Sequence, residues 1–510
     1  MNSSDFTPAS DLTQMKARPP HPLVLKLRHP RSLVRRRGGF ISLAALGATI
    51  LAGCAVGPRY QPPRTETATA FADHSTNYVA TEIDPRWWQS FNDATLTRLI
   101  ERSLATNQDL RIAMANLRSA RALRAQSRLD FFPTVTANAS YANTLLSRTA
   151  VFGIPGINRQ EELYDAGFDA TWELDFFGRV RRSVQARDAE VEAAEAARRD
   201  TQVSLLGEVG RNYFELLGTQ NELAVAHRNA ENQRQTLQIT TSRLEGGRGT
   251  ELDVARARAQ LNNTLATIPP MESAIAHAIH RLSVLEGQPP SALTDELSPA
   301  APLPILPAVV AIGEPAALLR RRPDIRFAER NLAAATARVG VAVADLFPRV
   351  TFVGAVGLEA ASFAGLGRDG ADTRSFGPRI SWAALDLGRV RARIKAADAQ
   401  VEAQLALYEK TVLTALEETE NALVDFGRER TRGEFLRESV TASETAANLA
   451  RQRYENGATD FLNVLDSERV LLEAQDQLAQ SQTRAATALV AVYKSLGGGW
   501  QTDAPSGSKP

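Results

Sequence analysis

An internal duplication constrains this chain more than any other feature of its sequence. Two sets of residues recur along the 510 residues, the first at a spacing of 215 and the second at a spacing of 210. A repeat of this length predicts a fold made of two copies of one unit, so any function must explain what two such units build. The matches at 215 are Asp109-Leu110-Arg111 with Asp324-Ile325-Arg326 and Phe132-Pro133 with Phe347-Pro348. The matches at 210 include Trp172 with Trp382, Gly178-Arg179-Val180 with Gly388-Arg389-Val390, Arg243 with Arg453, and Gly247 with Gly457.

Each copy contains a long segment with the pattern of a helix. Aromatic residues make up only 6% of the chain, which is low for a large compact core. From Gly178 to Glu245 there is no proline, and apolar residues recur at steps of three and four. This pattern predicts a helix about 100 Å long, which must pack side by side with others. Glycine-containing turns at 245–250 and 455–460 then predict that each rod returns as a helical hairpin.

Segments with a different period precede each rod. In these segments apolar residues alternate with polar or charged ones, which predicts strands with one apolar face and one wet face. Strands of about ten residues suit a tilted transmembrane β-strand. Four such strands in one chain would have to close with other chains, and a soluble sheet packed on one face is the alternative. The four segments are 135–141, 164–176, 350–358 and 376–384.

The amino end has the layout of an exported lipoprotein. Arg35-Arg36-Arg37 followed by the apolar run 40–53 is typical of a secretory signal, so residues 1–53 are interpreted as a signal peptide with an over-long start. Cys54 is the only cysteine, and L-A-G-C at 51–54 resembles a bacterial lipobox, in which this thiol receives diacylglycerol. Two or three acyl chains give stable membrane attachment. Without residues 1–53 the net charge is −5, which argues against nucleic acid as a partner.

Four separated motifs resemble one known family. In order and in residue type they are similar to the TolC-like outer-membrane efflux factors, specifically the OprM/NodT lipoprotein branch. The resemblance covers essentially all of the mature chain. The motifs are C-A-V-G-P-x-Y-x-P-P at Cys54–Pro63, L-L-R-R-R-P-D-I-R at Leu318–Arg326, V-G-V-A-x-A-x-L-F-P at Val339–Pro348 and R-Y-x-x-G-x-x-x-F-L-N-V-L-D at Arg453–Asp466.

The resemblance implies a mixed α and β membrane protein that is internally duplicated and assembles as a homotrimer. Each protomer would give four transmembrane β-strands to one shared twelve-stranded β-barrel and long coiled-coil-like helical hairpins to a periplasmic α-barrel. Such a duct is passive and no enzyme, and it needs no cofactor or metal. Its implied partners are a periplasmic adaptor protein, an inner-membrane pump of the RND type and the outer-membrane lipid of a Gram-negative bacterium.

This organisation divides the chain into six segments. After the signal peptide come a lipid-anchored and equatorial segment at 54–110, a first repeat at 111–287, an equatorial linker at 288–320, a second repeat at 321–497 and a flexible tail at 498–510. Each repeat would contain a helix, a β-hairpin and a helical hairpin. The β-hairpins are expected at about 133–177 and about 348–386, and the helical hairpins at 178–287 and 388–497.

In such proteins the glycine turns form a periplasmic tip, where the adaptor docks and an iris-like opening is controlled. Tyr454 matches the tip tyrosine that restrains the inner hairpin, and Asp253 matches its hydrogen-bonding partner on the neighbouring hairpin. Asp466 matches a carboxylate of the narrow pore ring. Thr459 replaces a gate arginine of some members and Asn463 replaces a second ring aspartate, so the closed state should rest on fewer ionic contacts. The implied docking residues are Gly247, Gly249, Thr250, Leu252, Gly457, Thr459 and Leu462.

Carboxylates at two levels predict a preference for cations. Three copies of Asp466 brought together at a constriction would attract cations and repel one another. Asp165, Asp169, Glu173 and Asp175 share the polar face of one predicted strand and should line the barrel lumen if the other face meets lipid. The aligned strand of the second copy carries no acid at these positions.

The function predicted from these observations is an exit duct for small molecules in a tripartite exporter, with energy supplied by the pump. Three alternatives remain at this point: the exit duct of a type I protein secretion system, a structural periplasmic coiled-coil lipoprotein without a pore, and a surface-binding lipoprotein with a soluble sheet. Catalysis has no support in the sequence. The G-x-G-x-x-G match at 365–370 is followed by a polar loop and then a strand, whereas a dinucleotide site needs a helix directly after this motif.

Overall fold

The computed structural model describes residues 55–65, 68–72, 78–147, 149 and 159–500. The predicted signal peptide, the lipidation candidate Cys54 and residues 501–510 lie outside the described residues. The α-helices of the described chain are α1 (Ala94–Thr106), α2 (Gln108–Leu129), α3 (Arg179–Glu245), α4 (Glu251–Leu285), α5 (Thr294–Leu297), α6 (Pro315–Arg321), α7 (Pro323–Ala344), α8 (Leu387–Glu455) and α9 (Phe461–Ser495). Its strands are β1 (Tyr78–Val79), β2 (Thr134–Leu145), β3 (Gln160–Leu174), β4 (Val310–Ala311), β5 (Arg349–Ala360) and β6 (Asp372–Ser381).

Two helical hairpins contain the longest elements. Helix α3 has 67 residues and α8 has 69, so each is about 100 Å long at about 1.5 Å per residue. The returning helices α4 and α9 have 35 residues each and cover the half of each long helix that lies away from the strands. The other half of α3 packs against α2 and α7, and α7 also packs against α8. None of the described helices has both the length and the apolar character needed to cross a membrane.

An aromatic core lies beside the middle of the long helices, where the segment containing Trp87 and Phe91 meets α3 and the end of α9. The ring of Trp87 stacks on that of Tyr493 near the end of α9, with centroids 5.2 Å apart. Phe91 packs on Phe214 of α3 at 4.8 Å. Strands β1 and β4 pair in parallel beside this core and tie the amino-terminal segment to the connection between α5 and α6. These contacts join distant parts of the sequence around the long helices.

Four strands form one antiparallel sheet in the order β2-β3-β5-β6. Strand β3 of the first copy pairs with β5 of the second, from Tyr164 opposite Ala360 to Leu174 opposite Val350. Several strand boundaries differ from the sequence prediction: β2 continues to Leu145, and β3 and β6 each begin four residues earlier. Strand β3 ends at Leu174 and β6 at Ser381, before the predicted ends, because backbone-bonded turns follow both strands. The outer edges of β2 and β6 have no strand partner within the described chain. Open edges of this length require a partner or a cover.

Candidate functional site

One face of the sheet is mainly apolar, although Arg374 and Asp372 at the start of β6 lie on it, opposite Val356 and Leu358. In register, Tyr141 lies opposite Tyr164, Phe168 opposite Val356, and Phe376 opposite Gly354. Phe168 is 58% exposed and Phe376 is 64% exposed, although both are large aromatic residues. Exposed aromatic and aliphatic side chains grouped in this way are unfavourable in water and suit the hydrocarbon of a membrane.

A tryptophan closes this apolar face at the same place in each copy. The indole Nε1 of Trp172 donates to the carbonyl of Phe131 at 2.9 Å, and that of Trp382 donates to the carbonyl of Leu346 at 3.0 Å. Both rings lie where the strands give way to the long helices, a region named the junction here (residues 174–179, 345–349 and 382–386). Indole rings with one wet edge are typical of a membrane–water interface.

The opposite face of the sheet carries the acidic residues, concentrated in its half away from the junction. Asp165 accepts a hydrogen bond from Asn138 Nδ2 at 3.2 Å and lies directly opposite Glu359 on β5. Asp169 lies between Thr136 and Ala355 in the register of β2, β3 and β5. Like charges directly opposite each other across strands repel, which gives this half of the face a negative potential. The contribution of Glu359 was missed because the pairing of β3 with β5 has no local signal in the sequence.

The other two acids predicted for this face lie in different environments. Arg179 Nε donates to Glu173 Oε1 at 2.6 Å, and Arg349 Nε lies 3.8 Å from Glu173 Oε2, so the charge of Glu173 is compensated. Asp175 lies beyond the end of β3 and does not share its face. Its carboxylate accepts from the backbone N–H groups of Val180 at 2.9 Å and Arg181 at 3.0 Å, which caps the start of α3.

The tip turns, defined here as residues 245–251 and 455–461, have the same backbone in both copies. Gly247 has φ 66° and Gly457 has φ 75°, in the left-handed region that favours glycine. The N–H of Arg248 donates to the carbonyl of Arg243 at 2.8 Å, and Ala458 donates in the same way to Arg453 at 2.8 Å. This six-to-one bond beside a left-handed glycine is the Schellman ending of a helix.

A threonine side chain makes hydrogen bonds at the start of each returning helix, but the bonding partners differ between the two copies. In the first turn, Thr250 Oγ1 accepts from the N–H of Asp253 at 3.2 Å and donates to its carboxylate at 2.7 Å. In the second turn, Asn463 Nδ2 donates to Thr459 Oγ1 at 2.8 Å. Asp253 is thus bonded within its own turn. Its predicted pairing with Tyr454 stays a prediction for the assembled protein.

Tyr454 joins the tips of the two hairpins. Its side chain is only 5% exposed and packs on the ring of Phe461, with centroids 5.5 Å apart. The guanidinium of Arg243, from the first hairpin, lies 4.4 Å above the Tyr454 ring and also donates to the Tyr454 carbonyl. Sequence reasoning missed this role of Arg243, which it found only as the repeat partner of Arg453.

Asp466 lies on the surface of α9 and has a counter-ion. Its side chain is 65% exposed and accepts from Arg469 at 3.0 Å, while Arg469 also donates to Glu473 at 2.8 Å. These hydrogen bonds raise the pKa of the Arg469 guanidinium. The sequence analysis of Asp466 did not include Arg469, although a spacing of three along a predicted helix is a signal that could have identified it.

Two leucines are exposed at matching places beside the tip turns. Leu252 is 56% exposed in the first turn of α4, and Leu462 is 57% exposed in the first turn of α9. Gly249 and Thr250 precede the first leucine, and Thr459 precedes the second, so each tip presents a small polar turn followed by an apolar side chain. In the described chain this repeated surface is exposed, so a partner protein can reach it.

Comparison with known proteins agrees with this geometry. The family model described as outer membrane efflux protein matches residues 99–288 and 315–498, one range in each copy of the repeat. The chain belongs to the outer membrane efflux protein family. A curated relative, the solvent efflux pump outer membrane protein SrpC of Pseudomonas putida, is 33% identical over 474 residues, covering 90% of this chain and 98% of SrpC.

Solved structures of similar channels share the fold of this family member. The outer-membrane channel OprN is 45% identical, with a TM-score of 0.82, over 88% of this chain and 100% of the OprN chain. The open state of the MtrE outer membrane channel of Neisseria gonorrhoeae is 28% identical, with a TM-score of 0.75, over 88% of this chain and 98% of MtrE. The TolC-like resemblance stated from the four sequence motifs is therefore confirmed.

Proposed function

We propose that this chain is the outer-membrane channel of a tripartite efflux system, a passive exit duct for small molecules. The observation that carries the proposal is a two-faced sheet with open edges that leads directly into helices about 100 Å long. The apolar face would meet lipid, the polar face would line a lumen, and the helices would extend the lumen through the periplasm. Membership of the efflux family and the printed function of SrpC support this assignment.

The assembly is proposed to be a homotrimer with a shared twelve-stranded barrel. Four strands with two free edges cannot close alone, since even small barrels need about eight strands. Strand β2 is exposed along its whole length in the single chain, which fits a strand that pairs with another protomer. The domain boundaries predicted from the sequence are proposed for this assembly, except that Trp500 donates to the Arg321 carbonyl at 2.9 Å and so is not part of a flexible tail.

The tip is proposed to receive a periplasmic adaptor and, through it, an RND-type pump. Leu252 and Leu462 would supply apolar contacts, and the turns with Gly247, Gly249 and Gly457 would let the adaptor approach the backbone. At the other end, Cys54 is proposed to carry acyl chains that anchor the protein to the outer membrane. The wide duct would leave the choice of cargo to the pump.

The closed state is proposed to rest on contacts at the tip. Tyr454, Asp253 and Asn463 would hold neighbouring hairpins together, and Asp466 would narrow the pore. The Arg243–Tyr454 contact supports this role because it joins two hairpins within one protomer. The acids Asp165, Asp169 and Glu359 are proposed to give the lumen a modest preference for cations.

A substitution on each face of the sheet tests the channel. We expect Phe168→Asp to reduce membrane insertion, because it replaces a large apolar side chain with a charge near the middle of the lipid face, where a charge is unfavourable. Thr171→Asp is the control on the same strand, since Thr171 lies on the polar face between Thr134 and Val353 in the register. Insertion is measured by heat-modifiable migration and by conductance in planar bilayers. Equal behaviour of the two variants, or no conductance from the wild-type protein, would contradict the channel and favour a spacer lipoprotein.

A further inference from the structure

The first described residues of the chain are held at the junction. The N–H of Val56 donates to the carbonyl of Phe177 at 3.1 Å. In return, Arg182 in the first turn of α3 donates through Nε to the carbonyl of Val56 at 3.0 Å and through Nη2 to that of Gly57 at 3.1 Å. The same Nη2 lies 3.5 Å from the carbonyl of Ala55. One guanidinium thus binds three consecutive carbonyls of the amino-terminal segment.

This arginine depends on the segment that it binds. Arg182 is only 5% exposed, and its hydrogen bonds in the described chain go to those carbonyls and to Gln185 Oε1 at 3.0 Å, rather than to a carboxylate. A buried cation without sufficient hydrogen bonds is strongly unfavourable. If residues 55–57 left this place, Arg182 would lose most of its partners, so the segment and the arginine stabilise each other.

Close backbone approach makes the fit specific. Gly57 has φ +86°, and a methyl group at this position would lie 2.5 Å from the Cα of Gly340 on α7. A methyl group on Gly340 would in turn lie 2.8 Å from the side chain of Arg182. Three residues later, the Tyr60 hydroxyl donates to Glu329. The guanidinium carbon of Arg330 lies over the Tyr60 ring, 5.4 Å from the ring centroid. These contacts account for the A-V-G-P-x-Y part of the first sequence motif.

The direction of the segment brings its amino end to the membrane side. Past Tyr60 the segment runs along α8 away from the sheet. Thr65 Oγ1 lies 3.0 Å from the Tyr408 hydroxyl, and further along the Tyr78 hydroxyl donates to the Leu423 carbonyl at 2.7 Å. Its start lies beside Phe177, whose ring stacks on Phe347 at the junction, where the tryptophans close the apolar face. In the sequence, Cys54 directly precedes Ala55.

We propose that Arg182, Gly57 and Gly340 form a seat for the acylated amino terminus of the mature chain. The seat sets the depth at which the acyl chains enter the membrane, level with the tryptophans at the edge of the apolar face. It rests on the proposed lipid anchoring at Cys54. The ligand of the site is the lipid-modified end of the same chain, and the seat binds its backbone while the acyl chains enter the bilayer.

Hydrogen exchange of the full-length protein, purified from membranes in detergent, tests the seat. The reporter is the peptide that covers residues 54–65, in which Val56 is the third residue, so that its bonded amide keeps its label during analysis. We expect Arg182→Ala and Gly57→Ala to speed its exchange at least about tenfold, since one hydrogen bond to a charged donor is worth about that factor or more. Arg211→Ala is the matched control on the same helix, where Arg211 makes an exposed ion pair with Glu215. The mass of the amino-terminal peptide reports the acyl chains independently.

The possible outcomes separate the seat from the lipid anchor. Faster exchange in both variants but not in the control, with acylation unchanged, supports the seat. Unchanged exchange in Gly57→Ala overturns it, even if Arg182→Ala yields no folded protein. A wild-type peptide without acyl chains overturns both the lipid anchoring and the depth-setting role. In that case, faster exchange in the variants would show that the seat binds an unmodified segment only.

Discussion

The contact between Arg243 and Tyr454 gives the sharpest prediction for the tip. Arg243 belongs to the first hairpin and Tyr454 to the second, so their contact resists the separation of the two tips within one protomer. Arg243→Ala removes both the guanidinium above the ring and the hydrogen bond to the Tyr454 carbonyl. We therefore expect this variant to open the proposed gate more readily than the wild-type protein does.

The size of the effect follows from these two contacts. A partly exposed cation above an aromatic ring contributes about 0.5–1 kcal/mol, and a hydrogen bond from a charged donor contributes about 1.5 kcal/mol at the low end of its range. Together they amount to about 2 kcal/mol in each protomer, which corresponds to roughly a thirtyfold shift in the equilibrium between joined and separated tips. Arg243→Lys keeps a charge but loses the planar guanidinium, so its effect should lie between those of wild type and Arg243→Ala.

Single-channel conductance of the purified protein in planar bilayers measures this opening. Arg234→Ala is the matched control, because Arg234 lies on the same helix and makes only an exposed ion pair with Glu231. Tyr454→Phe keeps the ring and the carbonyl that Arg243 contacts and removes only the hydroxyl, so its conductance should rise less than that of Arg243→Ala. If Arg243→Ala and Arg234→Ala have the conductance of the wild-type protein, the contact does not hold the tip closed and the reasoning is refuted.

Three further predictions follow from other contacts. Burial, and then Asp476, raise the pKa of Glu222 from 4.5 to about 7; because the folded chain then holds a proton that the unfolded chain releases, the free energy of unfolding falls as pH rises through that window. Glu222→Gln should reduce this loss of stability with pH. Thermal melts of both proteins at about pH 5 and about pH 8 measure the loss, and an equal loss in the two proteins would contradict the prediction. Asp175→Ala removes the cap of α3 and should lower the free energy of unfolding by about 1 kcal/mol in denaturant titrations, whereas an unchanged midpoint would show that the cap contributes nothing. Asp165→Asn combined with Glu359→Gln should reduce cation preference in reversal-potential measurements, and anion selectivity of the wild-type channel would contradict the assigned lumen.

Local patterns were sufficient for the parts of the fold that depend on near neighbours. The period of three to four residues between Gly178 and Glu245 corresponds to a single helix, Arg179–Glu245, because helical bonds and side-chain rows are set within a few residues. The glycine turns were placed correctly for a similar reason: a helix that ends on a left-handed residue favours glycine at that position. The alternation from Tyr164 onward separated the two faces of β3 before any partner strand was known.

Contacts between distant segments were not predictable in the same way. Glu173 and Asp175 stand two residues apart in an alternating pattern, yet one is compensated by Arg179 and the other caps α3, because the strand ends between them. Arg182 is one residue in the continuous helical pattern of α3, and nothing adjacent in the sequence shows that it binds the three carbonyls of residues 55–57. A side chain takes its role from whichever groups folding brings within reach.

The sequence by itself determined that the molecule is a duplicated unit of paired strands and long helical hairpins, since repeat spacing and residue period are properties of the chain alone. Only the tertiary structure decided that β3 pairs with β5, that Asp165 therefore faces Glu359, and that Arg243 reaches Tyr454 of the other copy. The physical reason is separation along the chain. Residues about 200 positions apart share no local geometry, and their contact is selected by packing the whole chain at once.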